Sequence, residues 1–471
     1  MTGRAWRIAA ALGLALLCAG CDLGPDYHRP PLDVPAGWQQ PTGAAAWPAA
    51  DWWRGFGSTE LDQYMDEAER ANYDLAAAVA RIREADAQLR IAGAALLPTI
   101  SLGAGVNSEQ VRSGSGVFNG TFYEAAPAAS YELDFWGKNR ASVEAARASA
   151  LASRYDREVV NLTVVTGVAN TYFQILAFED RLRVATQNLA NAESVLNGIL
   201  AQQRAGTATE LDVVQQQTVV AAQRAAIPPL QQQLQQNINA LAILIGKPPE
   251  QVKVADGSLE TLRVPVVAPG LPTALLERRP DVREAEAQLV AANANIKVAR
   301  AQFFPDFTLT ATGGYESLAL HTFLKPESGI YDLAASVTQP IFTGGSLEGQ
   351  LQFSKARYDE LLADYQKAAI SAFSDVENGL IAARKTAEQT ADEQETVVAA
   401  REAYRISTVQ YRAGTVTLLT VLNTENALFP DEDTLVQDKL ASLEAVVGLF
   451  QALGGGWTDP VATAEAKPAP H

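Results

Sequence analysis

The residues able to do chemistry are few. His28, His321 and His471 stand far apart and share no ligand spacing, and two methionines add little toward a metal cluster. The chain has no P-loop, no G-x-S-x-G elbow and no H-E-x-x-H pair. Gly114, Gly116 and Gly120 read as a surface loop. The expectation is a protein that is not an enzyme, with no catalytic set, cofactor or bound metal. The one residue whose setting implies covalent chemistry is Cys21, in LCAGCDLGPDYHRP at 17–30. Residues 1–20 read as an export signal: Arg4 and Arg7 form its basic region, and Ile8 to Ala19 an apolar core too short to span a bilayer as a helix. Ala19-Gly20-Cys21 then resembles a lipobox, where signal peptidase II cleaves and Cys21 becomes the acylated first residue. Cys18 stands in the place usually held by Leu, so an ordinary signal with an incidental cysteine is the alternative.

Acidic side chains are the other functional candidates, and what they can do depends on the elements that hold them. The 471-residue chain carries a formal net charge of -17, with 48% hydrophobic and 19% charged residues. That balance excludes a disordered tail and makes nucleic acid an unsuitable partner, because phosphate binding needs a basic surface. Two cysteines within four residues, Cys18 and Cys21, cannot staple a fold. Beyond the signal, the reading finds no further apolar run of the length a membrane helix needs, so any crossing would be by strands.

The chain repeats itself. NYDLAAAVARIREADAQLRIAGAALLP at 72–98 resembles RPDVREAEAQLVAANANIKVARAQFFP at 279–305, an offset of 207 at which Pro98 meets Pro305. Phe135-Trp136-Gly137 falls on Phe342-Thr343-Gly344, and Arg204-Ala205-Gly206-Thr207 on Arg412-Ala413-Gly414-Thr415. The expected organisation is a signal at 1–20, an extended lipid-anchored arm at 21–58, a first repeat at 59–246, a Pro-rich linker at 247–274, a second repeat at 275–457 and a disordered tail at 458–471.

Each repeat opens with a helix ending near Pro98 or Pro305. A strand hairpin follows, at 99–135 and 306–342. Apolar Ile100, Leu102, Ala104 and Val106 alternate with Ser101, Gly103, Gly105 and Asn107; Phe307, Leu309 and Ala311 alternate with threonines, and Tyr331, Leu333, Ala335 and Val337 with polar neighbours. Runs of roughly 8–13 residues suit a tilted bilayer crossing. Segments 112–120 and 319–329 are the expected hairpin loops, and Pro127 predicts an edge strand or a bulge. Long helical hairpins follow. Residues 139–203 predict a helix of about 100 Å, turning at Ala205-Gly206-Thr207 and returning with an interruption at Pro228-Pro229. The second hairpin runs from about 346 to 453, turning at 413–415, with a kink or break expected at Pro430 and solvated acids at 431–433. Four amphipathic strands cannot close a barrel, and open edges are not tolerated in lipid, so the strands must close with other copies of the chain.

These residues also resemble a known family: the outer-membrane efflux lipoproteins of the TolC superfamily (NodT-type), outlet channels of resistance-nodulation-division pumps. The resemblance runs from Cys21 to Trp457 and is carried by CDLGPDYHRP, WWRGFG at 52–57, SYELDFWGKNR at 130–140, LLERRPDVREAE at 275–286, ARAQFFPDFTLT at 299–310, PIFTGG at 340–345 and LGGGW at 453–457. It implies a mainly α fold with a transmembrane β-barrel. Three chains of a homotrimer would each give four strands to a 12-stranded barrel, continued by an α-helical hairpin barrel in the periplasm and ringed by an equatorial collar. It implies passive conduction of drugs or other small toxic compounds to the exterior, driven by an inner-membrane proton-coupled pump through a periplasmic adaptor. The turns at Arg204, Gly206, Thr207 and Arg412, Gly414, Thr415 would be the adaptor-docking tips; as plain helix ends they need only glycine at the cap. Glu210 and Asp212, just past the first turn, are the candidates for an acidic ring at the periplasmic mouth, and equally for acids that stabilise a helix N-terminus. In the second hairpin Asn423 stands where the family commonly has aspartate, and Thr420 matches Asp212, so no gate acids are assigned there.

Two other readings stay open: an outlet for type I protein secretion, with the same fold, and a structural envelope lipoprotein without a pore. The lipobox and LGGGW favour pump-linked efflux; the alternating strands oppose the structural reading. The expected address is the outer membrane, anchored in its lipid at Cys21. Asp22 conflicts with it, since an acid after the lipidated cysteine retains lipoproteins at the inner membrane in some bacteria; the strands are expected to override it.

Overall fold

The computed structural model describes residues 23–39, 47–113, 116–267 and 270–457. The signal, Cys21, Asp22, Gly114 and the 458–471 tail therefore lie outside the described residues. Both repeats are built from the same parts. In the first, α1 (Thr59–Ala71) and α2 (Tyr73–Ala94) precede β1 (Thr99–Ser113), β2 (Gly116–Leu133), α3 (Lys138–Arg204) and α4 (Glu210–Leu244). In the second, α5 (Pro272–Arg278) and α6 (Pro280–Ala301) precede β3 (Asp306–Ser317), β4 (Gly329–Thr338), α7 (Ser346–Arg412) and α8 (Leu418–Ala452). The duplication is kept residue for residue in the helices: α3 and α7 each have 67 residues, and α4 and α8 each have 35. At 1.5 Å per residue the long pair each run about 100 Å.

Two compact units emerge, and they do not coincide with the repeats. One takes residues up to 31, 81–153 and 284–366; the other takes 32–80, 154–283 and the chain from 367 on. Each unit thus draws on both repeats.

The first unit holds the sheet, an antiparallel meander in the order β1-β2-β3-β4. Opposed residues in an antiparallel ladder share a face. Ile100↔Ala129, Leu102↔Pro127, Tyr131↔Leu309, Leu309↔Ala335 and Phe307↔Val337 put the apolar residues of all four strands on one face. Of three sequence expectations tested here, those for 112–120 and Pro127 change and that for 319–329 holds. Segment 112–120 is mostly strand, paired as far as Ser113↔Gly116, because the alternation persists through it. The 319–329 connection is a true loop, stiffened by 3₁₀ turns at Leu320–Thr322 and Pro326–Ser328, and by Ser317 and Thr322 hydroxyls 2.6 Å apart. Pro127 lies within a central strand, at neither an edge nor a bulge. Pairing of β2 with β3 lapses between Ala125↔Tyr315 and Ala128↔Thr312 and resumes in the same register, so the missing N–H is absorbed without an inserted residue.

The arm in this unit is tied to α6. Arg29 donates to both carboxylate oxygens of Glu286, at 2.7 and 2.5 Å, Asn293 donates to the Pro25 carbonyl at 3.0 Å, and Arg300 to that of Leu23 at 3.3 Å.

The second unit holds the main core. Leu61 and Met65 of α1, Val168, Phe173 and Leu176 of α3, Leu241 of α4, and Val447 and Phe450 of α8 are buried together. One stretch of α3 is long and apolar enough to cross a membrane by composition, contrary to the sequence reading; half of it is buried, and it supplies this core. The WWRGF turn at Trp52–Phe56 stacks Trp52 on Phe450 at 4.6 Å and sets Phe56 against Phe173 at 4.9 Å. LGGGW closes over it. Gly454, Gly455 and Gly456 all have positive φ, and a Cβ on Gly456 would fall 2.3 Å from the Ala49 carbonyl oxygen, so no other residue fits. Asn72 joins α1 to α2: its Oδ1 accepts from the Asp74 and Leu75 amides while its Nδ2 donates to the Leu244 carbonyl at 2.8 Å.

The helices run through their prolines. Helix α4 is unbroken at Pro228-Pro229, and α8 at Pro430. Two of the three acids after Pro430 are not solvated as expected: Glu432 is buried against Arg401 at 2.7 Å, and Asp433 takes a two-bond contact from Arg181 at 2.7 and 3.0 Å. Packing and ion pairs on both sides keep α8 continuous through the lost backbone bond.

Within the linker, residues 253–259 lie against three carboxylates. Glu60 accepts from the Ala255 amide at 3.0 Å, Glu179 from Gly257 at 2.8 Å and Asp180 from Leu259 at 2.9 Å.

Candidate functional site

The sheet offers a surface and the hairpins offer two turns. On the apolar face Ile100, Leu102, Val106, Leu309, Tyr331, Leu333 and Val337 are all exposed. Both outer strands, β1 and β4, lack a partner on one edge among the described residues. An apolar, exposed sheet with two open edges is not a stable object in water. The other face carries Ser101, Thr308, Thr310, Asp332 and Ser336 in the matching register positions. One face therefore suits lipid and the other suits water.

Where the sheet meets the helices, the repeats differ. In the first, Phe135 packs edge-on to Phe307 at 5.0 Å, Trp136 lies 4.9 Å from Phe304, and its indole donates to the Pro305 carbonyl at 2.8 Å. Lys138 bridges Glu132 at 2.6 Å and Asp306 at 3.0 Å beside them. In the second, Ile341 and Phe342 are each 90% exposed. The same motif is covered once and bare once.

The helical turns are alike in detail. Gly206 (φ 77) and Gly414 (φ 74) end α3 and α7. Behind each, the Thr207 and Thr415 amides reach back to the Gln202 and Gln410 carbonyls at 2.9 and 3.0 Å, and both threonine hydroxyls donate to those same carbonyls. This is the glycine cap the sequence predicts. Arg204, Gly206, Thr207, Arg412, Gly414 and Thr415 are all exposed.

Past the first turn, Asp212 is committed to a capping box. Its Oδ2 accepts from the Thr209 amide at 2.8 Å while its own amide donates to Thr209 Oγ1 at 3.3 Å. Glu210 beside it is exposed. In the second hairpin Thr417 makes no side-chain cap, and Thr420 stands where Asp212 would. Tyr411 ties the hairpins together, its hydroxyl donating to Gln202 Oε1 at 2.7 Å.

Deeper in the hairpins lies a polar layer that sequence reasoning missed. Glu425 on α8 is fully buried; Gln216 of α4 donates to it at 3.2 Å, and the Tyr404 hydroxyl of α7 at 3.4 Å. Burial pushes its carboxyl above the usual range, against the pull of those two donors. Arg401–Glu432 and Arg181–Asp433 follow one helical repeat later. The signal was present: Glu425 and Glu432 sit seven apart on a helix otherwise rich in Leu and Val, a spacing that keeps one face.

The comparisons agree with this architecture. The family model described as outer membrane efflux protein matches residues 64–247 and again 271–455. The pyoverdine export outer membrane protein OpmQ of Pseudomonas aeruginosa is 41% identical over 460 residues, covering 95% of this chain and 96% of that protein. The toluene efflux pump outer membrane protein TtgC of Pseudomonas putida is 33% identical, covering 96% of each. Among solved structures, the outer-membrane channel OprN superposes with a TM-score of 0.88 at 26% identity, covering 93% of this chain and 100% of that one. A sheet with lipid-facing and water-facing sides, two matched helical hairpins and a twice-matched family model converge: the chain belongs to the outer membrane efflux protein family and is a non-enzymatic outer-membrane efflux channel.

Proposed function

We propose that three copies of this chain close one 12-stranded barrel and that the helical hairpins continue its wet passage into the periplasm. The contrast between the two repeats carries this reading. Phe135 is covered by the start of β3, whereas Phe342, its repeat equivalent, is bare. A neighbouring copy's β1 is the repeat equivalent of β3, so β1 of the next copy both pairs with β4 and covers Phe342. Burying one Phe ring of this kind contributes about 2–3 kcal/mol per interface.

The exposed turns at Arg204–Thr207 and Arg412–Thr415 dock a periplasmic adaptor, which links the channel to an inner-membrane proton-driven pump of the resistance-nodulation-division class. Glu210 supplies the acidic ring at the periplasmic mouth; Asp212, held by Thr209, shapes the helix start behind it. Acylation at Cys21 anchors the arm in the outer membrane, and the scheme of two repeats at 59–246 and 275–457 about the 247–274 linker is the working organisation. Relatives of this fold are named for pyoverdine and for toluene; cargoes so unlike each other support a choice of cargo made mainly in the pump, and small toxic compounds are the class proposed for this chain.

Planar-bilayer recording of the purified protein tests the reading. Discrete, cation-favouring conductance steps are expected, with the preference reduced by Glu210→Gln. A folded trimer that passes no current would overturn it.

A further inference from the structure

Between α3, α4 and α8 lies a half-open cavity of about 400 Å³. Its apolar wall is Val184, Leu230 and the Phe429 ring, with Pro229 and Pro430 from facing helices. Two buried polar side chains reach it. Asn188 is 2% exposed and its Oδ1 has no hydrogen-bond partner. Glu425 is fully buried beside it. Pro430 has no N–H, so the Asn426 carbonyl, on another residue of the wall, loses its helical donor. The one cation on the wall, Arg181, is already engaged by both oxygens of Asp433.

Buried acceptors without donors are costly. A partner that supplies N–H groups and positive charge, together with a flat apolar body for the Phe429 wall, satisfies them all at once. We infer that this cavity is a binding site for small organic cations, a primary ammonium joined to an aromatic ring, with the ammonium on Glu425 and Asn188. The groups facing Glu425 fit this: Gln216 from α4 and Tyr404 from α7 are neutral donors, Asn188 from α3 is a neutral acceptor, and the cations Arg181, Arg401 and Arg224 are each paired, with Asp433, Glu432 and Glu193. Because burial raises the Glu425 carboxyl, binding of the ammonium favours its ionised form and releases a proton.

The test is isothermal titration of tryptamine into the detergent-solubilised full-length protein near neutral pH, in two buffers of different ionisation enthalpy. Saturable binding with proton release is expected. Glu425→Gln should weaken it about tenfold or more, the scale of one charged hydrogen bond, and abolish the proton release. Ala226→Trp fills the cavity from an exposed position and should abolish binding in a protein with unchanged circular dichroism. Indole-3-acetate and 3-ethylindole, an anion and a neutral isostere, should not bind. Absence of saturable binding, equal affinity in Glu425→Gln, full affinity in folded Ala226→Trp, or equal binding of the neutral isostere would each overturn the assignment. Bilayer conductance does not depend on any of these outcomes, so the channel reading is tested separately.

Discussion

Arg279, in the ERRPDV stretch, is the residue whose loss the second unit should feel most. Its guanidinium is 11% exposed and holds three partners: Asp281 at 3.0 and 2.6 Å, Asp375 of α7 at 2.9 Å and the Ala452 carbonyl at the end of α8 at 3.2 Å. It therefore joins the α5–α6 junction to two other helices and caps the last turn of α8. Arg279→Met keeps the stem and removes the charge. Breaking a fully buried pair costs about 3–5 kcal/mol. Here Asp281 and Asp375 are 36% and 49% exposed and regain water, which brings the expected loss to about 2–3 kcal/mol. Thermal unfolding followed by tryptophan fluorescence reads it directly, since Trp52 stacks on Phe450 near the same helix end. Asp375→Asn alone should cost less, and the double variant should show a coupling of about 1 kcal/mol or more. A loss below about 0.5 kcal/mol, or additive single and double variants, would refute the view that Arg279 works as a joint.

Other outcomes follow from the same geometry. The folded-state pKa of Glu425 is raised, chiefly by burial, so its contribution is fully present below the ordinary carboxyl range and is lost as pH rises through the folded value. Melting temperature should fall from mildly acidic to neutral pH, and Glu425→Gln should flatten that slope; an unchanged slope contradicts the assignment. Gly314→Ala would place a Cβ 2.3 Å from the Ala125 carbonyl oxygen, at a cost of about 1–3 kcal/mol, seen as reduced heat-modifiable barrel on a gel. Phe342→Asp should lower the cross-linked trimer yield, while Leu320→Asp in the β3–β4 loop should not; equal losses would count against the repeat-based interface.

Much of the fold is legible in the sequence because local patterns and the fold agree. The period-two alternation marks the strands, and the glycines at 206 and 414 mark the turns. Duplication doubles each signal, since a motif seen twice at one offset is rarely accidental. What was misread is instructive. Pro127 argued for an edge strand or a bulge, and Pro228, Pro229 and Pro430 for interrupted helices, but the strand is central and both helices are continuous, because tertiary packing outweighs a local penalty of a few kcal/mol. The α3 stretch around Val164–Leu176 hid its membrane-like composition because polar residues punctuate it, and only burial identifies it as core. The Gln216–Glu425–Tyr404 layer joins three helices from both repeats, a juxtaposition no local window contains.

The 253–259 segment has a consequence for anyone mapping this protein by mutation. Glu60, Glu179 and Asp180 grip it at Ala255, Gly257 and Leu259, every second residue, through main-chain N–H groups. Those contacts are blind to side-chain identity. An alanine scan would report only the side chains: Gly257, where a Cβ would meet Leu176 at 2.5 Å, Ser258, whose hydroxyl bonds Asp180 at 3.1 Å, and the buried Leu259. A proline scan would instead remove the three main-chain donors, at 255, 257 and 259, and expose the grip itself.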